Sequence, residues 1–133
     1  MLVFKAGNER ELDTALTTMA QQKAGALVVA SDPIFFFRRD QLASLAAGYK
    51  LPAIYYLPGF VRAGGLMAYG NSGPDLYRLV GVYVGRILKG EKPADLPVFQ
   101  ASKFEFVINL QTAKAIGLTI PTQMQSLADK VIE

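Results

Sequence analysis

Gly25-Ala-Leu-Val-Val-Ala30 is a continuous apolar run, closed by Ser31-Asp32-Pro33. A strand that is apolar on both faces belongs to a sheet covered on both sides, the usual environment of parallel strands. Upstream, Asn8-Glu-Arg-Glu11 forms a capping box, with Asn8 as N-cap and Glu11 three residues on. Leu12, Ala15, Leu16, Met19 and Ala20 then recur at the i, i+3, i+4 spacing of an amphipathic helix. Met1-Leu-Val-Phe-Lys-Ala-Gly, ahead of the box, reads as a short strand running into that helix. Downstream, Leu42, Leu45, Ala46 and Tyr49 share a helical face that stops before Pro52. Ala53-Ile-Tyr-Tyr-Leu57 is the next strand, Pro58 to Gly65 a short helix or turn, and Leu66-Met-Ala-Tyr69 a fourth strand. Strands alternating with helices predict βαβ units, and right-handed crossovers place helices on both faces of a parallel sheet. The expected class is α/β, a three-layer lobe.

After Gly70 the pattern changes. Pro74 suits a first helical position, and Leu76, Leu79, Val80, Tyr83, Val84, Ile87 and Leu88 make a long apolar stripe closed by Gly90. Lys92 to Pro97 is an extended connection. Val98-Phe-Gln and Phe104-Glu-Phe-Val-Ile108 read as short strands. A short helix over Gln111 to Ile116 ends at Gly117, and Pro121 opens a last one with Met124, Leu127, Ala128 and Val131 inward. From Pro74 onward the chain carries more core-facing surface than its first 70 residues need, so further chain or a second copy is expected to cover some of it.

Composition narrows the chemistry. Of 133 residues 51% are apolar and 19% charged, which suits a folded domain with a real core. The longest apolar run, Ala24 to Ala30, is far short of the roughly 20 residues of a membrane helix. The absence of cysteine removes disulfides, thiolate nucleophiles and Cys-based zinc sites, and the absence of histidine removes Ser-His and Cys-His catalysis. A net charge of +3, with Arg38-Arg39 the only adjacent basic pair, points to a solvated surface and not to a nucleic-acid partner. Gly70-Asn-Ser-Gly73 is neither a dinucleotide fingerprint nor a P-loop.

Several ordered motifs carry a resemblance. Asp32-Pro-Ile-Phe-Phe-Phe-Arg-Arg39, Leu51-Pro-Ala-Ile-Tyr55, Gly64-Gly-Leu-Met-Ala-Tyr-Gly70, Asp75-Leu-Tyr77, Ile87-Leu-Lys-Gly-Glu-Lys-Pro-Ala-Asp-Leu-Pro97 and the run from Lys103 to Pro121 resemble the C-terminal portion of an ABC-transporter substrate-binding protein of the tryptophan/tyrosine type. The resemblance covers essentially the whole chain. It implies an incomplete type I periplasmic-binding fold, from a family whose members are about twice this long and carry a signal peptide and an N-terminal lobe. On that template residues 1–73 are the C-terminal ligand-binding lobe. Residues 74–102 are a crossover helix and strand that belong with the N-terminal lobe, and 103–133 are a hinge-crossing strand and C-terminal helices. The implied role is a non-catalytic solute-binding component of an importer, periplasmic, with ABC permease subunits as partners, no cofactor and no metal. An effector-binding domain of a regulator and a small α/β enzyme using Asp32 and Asp75 are the alternatives. The exposed stripe also predicts homo-oligomers, with the Pro74–Gly90 helix in the contact.

Open α/β sheets bind ligands beyond the carboxyl ends of their strands. That rule selects Ser31, Asp32 and Phe36, then Tyr56 and Phe60, then Tyr69, Asn71, Ser72 and Asp75. Asp32 or Asp75 suits the ammonium group of a small polar ligand such as an amino acid. Phe36, Tyr56 and Phe60 offer an aromatic wall, and Asn71 and Ser72 precede a helix whose free N–H groups suit a carboxylate. Asp32 is equally an N-cap, Asn71, Ser72 and Asp75 equally capping residues, and Tyr55 and Tyr56 point to opposite faces of one strand.

Overall fold

The computed structural model describes residues 1–100 and 102–133. Its centre is a five-stranded sheet in sequence order: β1 (Leu27–Val28), β2 (Ala53–Tyr55), β3 (Met67–Asn71), β4 (Phe104–Asn109) and β5 (Lys130–Ile132). All neighbours pair in parallel except β3 with β4, which run antiparallel from Met67 opposite Ile108 to Asn71 opposite Phe104. This is the mostly parallel α/β lobe that the sequence pattern implies.

Helix α1 (Glu9–Gln21) begins at the expected Asn8 cap, with the returning Glu11 contact made one residue earlier, at Gly7. The Asn8 side chain accepts from the Glu11 amide at 3.0 Å, and the Glu11 carboxylate reaches back to the Gly7 amide at 2.7 Å. Helix α2 (Pro33–Phe37), α3 (Arg39–Gly48) and α4 (Pro58–Arg62) follow. Leu12 and Leu16 of α1 and Leu42 and Ala46 of α3 pack with Phe60 and Val61 of α4 on one sheet face, against Tyr55, Ala68 and Val107. Ile108, one residue on from Val107, points to the other face and joins Leu66, Ala113, Ile116 and Ile120. Helix α6 (Leu110–Ala115) supplies Ala113 there, with the Asn109 side chain accepting from the Thr112 amide as its cap.

The longest helix is α5 (Gly73–Leu88), and none of its residues is buried. Val80, Val82, Val84, Ile87 and Leu88 are exposed. The Lys92–Pro97 connection, with a 3-10 turn over Pro93–Asp95, returns along it. Tyr83 donates to the Pro97 carbonyl at 2.7 Å, and Arg86 pairs with Glu91.

Three local expectations need correction. Met1-Leu-Val-Phe4 forms no strand: it is exposed through Val3 and makes no ladder with β1. Val98-Phe-Gln100 is likewise irregular, because nothing among the described residues lies beside it to complete a ladder. Phe35-Phe-Phe37 belongs to α2, where Pro33 at the first turn and Asp32, acting as the N-cap that was one of its two readings, nucleate a helix. The last helix, α7 (Thr122–Leu127), stops early, leaving Leu127 exposed and placing Val131 on β5. Asp129 explains this: its amide donates to the Phe106 carbonyl at 2.8 Å and its carboxylate accepts from the Phe106 amide at 2.7 Å, drawing the tail into the sheet.

Candidate ligand-binding site

The loops after β1, β2 and β3 emerge at one end of the sheet, where β4, running the other way, begins. From β1 come Ser31 and Asp32. The Asp32 side chain caps α2 by accepting from the Ile34 amide at 2.9 Å, so its carboxylate is already engaged by backbone. Its carbonyl accepts from the Tyr56 hydroxyl at 3.1 Å, tying the first loop to the second. Burial, opposed by that hydrogen bond and reinforced by the Asp32 charge, raises the Tyr56 pKa above the usual tyrosine value and keeps the hydroxyl protonated.

Tyr55 and Tyr56 do not separate as strand alternation predicts. β2 ends at Tyr55, and beyond it the chain turns, so both rings pack on Phe60. Tyr55 stacks at 4.7 Å and Tyr56 leans on it at 5.3 Å. Phe60 is itself fully buried, so it supports the Tyr56 ring from behind within the core. Phe36 is partly exposed, edge-on to Phe37 at 5.7 Å and with the Arg39 guanidinium 5.3 Å above its ring.

The third loop is fixed by Gly70. A Cβ there would collide with the Tyr56 carbonyl oxygen, so only glycine lets β3 and the β2 loop approach this closely. Asn71 follows, with a buried Oδ1 that has no hydrogen-bond partner among the described residues. Ser72 is buried and its amide donates to the Lys103 carbonyl at 3.0 Å, but its side chain does not cap α5. Asp75 is committed to Arg78, with both guanidinium contacts near 3.1–3.2 Å.

Tyr69 is exposed and stacks on Phe104 at 5.6 Å, with Phe106 edge-on at 6.4 Å. The pairing of Tyr69 with Phe106 and of Asn71 with Phe104 places all four side chains on one sheet face by strand alternation. Phe104 and Phe106 were missed as site candidates. Their alternation was visible in Phe104-Glu-Phe106, but not the register that sets them against Tyr69. The structure thus brings Asp32 to Tyr56, and Tyr69 to Asn71. It engages Asp75 elsewhere.

A family model for ABC transporter substrate binding proteins matches residues 1–132. The chain belongs to this family. Among solved structures, the family member is similar to the ABC domain in complex with L-Trp from Streptococcus pneumoniae, at 30% identity and a TM-score of 0.87, over 97% of this chain and 43% of that one. A conserved domain protein from Vibrio cholerae is similar at 23% identity and a TM-score of 0.86, over 95% of this chain and 42% of that one. The ligand-free, open form of a substrate-binding protein with adhesive properties from Clostridium difficile shares the fold at 22% identity and a TM-score of 0.64, over 96% and 42% respectively. The chain therefore spans less than half the length of these relatives. No curated protein matches it. Among the described residues no helix is long and apolar enough to cross a membrane, and no cluster of acidic side chains is suited to a metal ion.

Proposed function

We propose that this chain is the C-terminal part of a non-catalytic solute-binding component of an ABC importer, acting outside the cytoplasm and taking a small polar ligand of the amino-acid class. Residues 1–73 would form most of the ligand-binding lobe, residues 74–102 would pack with a second lobe, and residues 103–133 would return across the hinge. The observation that carries this reading is the unpartnered, buried Oδ1 of Asn71 beside the exposed Tyr69–Phe104 stack. An acceptor without a donor costs about 1–3 kcal/mol when buried, and a turn of the Asn71 side chain toward a ligand ammonium group would satisfy it. The stacked rings offer a flat apolar surface next to it. The L-Trp complex of the pneumococcal relative supports the same ligand class. A ligand touching both lobes would favour the closed form through its higher affinity for that form, and the closed form would be what ABC permease subunits recognise.

The chain contains no tryptophan, so free L-tryptophan can be followed by its own fluorescence. Titration with L-tryptophan, and calorimetry with L-tyrosine and L-leucine, should show saturable binding of at least one. Asn71→Ala and Tyr69→Ala should each weaken it about tenfold, the loss expected for a charge-assisted contact or a ring stack. Absence of saturable binding for every amino acid tried, in a two-lobed protein carrying these residues, removes this ligand class.

A further inference from the structure

Tyr56 is engaged within the chain through its ring, its carbonyl and its hydroxyl, each by a different part of the candidate site. The ring leans on Phe60, which is fully buried. The carbonyl lies against Gly70, so closely that no side chain fits between them. The hydroxyl donates to the Asp32 carbonyl at 3.1 Å. Tyr56 thus stands between Asp32 on one side and the Tyr69–Asn71 segment on the other, with a ring that the core holds still.

The Asp32 carbonyl is where α2 begins. It accepts from the Phe36 amide at 3.2 Å as well as from the Tyr56 hydroxyl, using both of its lone pairs. Helix α2 needs that support. It is five residues long with none buried, and a helix this short does not hold by its backbone alone. Phe35 packs on the core but is only partly buried. The Arg38–Glu9 ion pair is exposed at both ends, and such pairs contribute little. Phe36 is partly exposed, and its ring contacts, Phe37 and Arg39, ride on the same segment. Its place is therefore set by the backbone that the Tyr56 hydroxyl holds.

We propose that Tyr56 is a positioning residue of the candidate site, whose hydroxyl fixes α2 and the Phe36 ring relative to Tyr69 and Asn71. This rests on the ligand reading above and deepens it, because a site whose loops are already placed loses less entropy on binding than one whose rim the ligand must order. Tyr56→Phe removes the hydroxyl and keeps the ring on Phe60. In the 133-residue chain, the Phe36 and Arg38 amides of this variant should exchange with deuterium at least about fivefold faster by NMR, while those of β3 and β4 keep their rates. In the two-lobed protein, the dissociation constant for whichever of L-tryptophan, L-tyrosine and L-leucine binds should rise about threefold to tenfold, the effect of one hydrogen bond. Since the hydroxyl acts through Phe36, Tyr56→Phe added to Phe36→Ala should weaken binding no further than Phe36→Ala alone, whereas a general loss of stability would weaken both backgrounds alike. Unchanged exchange at Phe36 and Arg38 overturns the proposal. So does an unchanged dissociation constant, or a Tyr56→Phe effect that persists in full without Phe36. Failure of the wild-type protein to bind any of the three amino acids removes the ligand class instead, and the exchange rates then decide the role of Tyr56 by themselves.

Discussion

Tyr55 shows how one atom can oppose the packing that surrounds it. Its ring is buried and stacked on Phe60, yet its hydroxyl, also buried, has no partner among the described residues. Burial pushes its pKa well above the usual tyrosine range. In the unfolded chain the same phenol ionises near pH ~10. Its contribution to stability is therefore intact below that pH and is lost as the pH rises above it, because the unfolded state releases the proton first. Tyr55→Phe removes the unpaired oxygen and keeps the ring. It should stabilise the fold by up to about 1 kcal/mol in urea denaturation at neutral pH, and it should flatten the alkaline decline in melting temperature. A mutant that loses stability at neutral pH would mean that the hydroxyl has a partner after all. The pair Asp32 and Asp75 shows the limit of reading sites from residue type. Both were candidate ammonium partners, and in each one carboxylate oxygen is held within the chain, Asp32 by the Ile34 amide of α2 and Asp75 by Arg78, contacts that chain geometry decides and composition does not.

Among the elements, α5 stands apart. Its stripe from Leu76 to Leu88 was the clearest helical periodicity in the sequence, yet it ends with no buried residue. Helices hold mainly through burial of an amphipathic face, and a helix without that burial opens at low free energy. Amides of residues 76–88 should therefore exchange with deuterium at least tenfold faster than those of β3 and β4 in the isolated chain, measured by mass spectrometry. Equal protection would mean that the stripe is covered. The same contrast explains what could be read in advance. α1, β1, α3, β2, α4 and β3 were legible because caps, prolines and apolar spacing act over a few residues. The pairing of β4 with β3, and the capture of the tail by Asp129, depend on contacts between residues far apart in sequence, which no local pattern carries. Met1–Phe4 was misread for the related reason that strand composition does not supply a strand's partner. At the candidate site, the carboxyl-end rule selected the loops after the three parallel strands, which leave the sheet at one end, whereas the stack of Tyr69 on Phe104 waited on register.

At the scale of the whole molecule, the sheet divides the chain into a body and an excursion. β3 hands the chain to α5 at Asn71, and β4 takes it back at Phe104, directly opposite. Ser72 and Lys103 are already hydrogen-bonded across the opening. The described residues between Gly73 and Ser102 leave and re-enter through a gap only one strand spacing wide. The lobe can accordingly be spliced: deleting that stretch and joining Ser72 to Lys103 through a turn of about two residues, such as Asn-Gly, would convert the antiparallel pair into an ordinary hairpin. The shortened protein should keep both hydrophobic clusters and melt cooperatively, and loss of cooperative melting would show that the excursion props up the body. The narrow doorway would thus make this family member a natural cassette, into which other inserts can be grafted without disturbing the sheet that receives them.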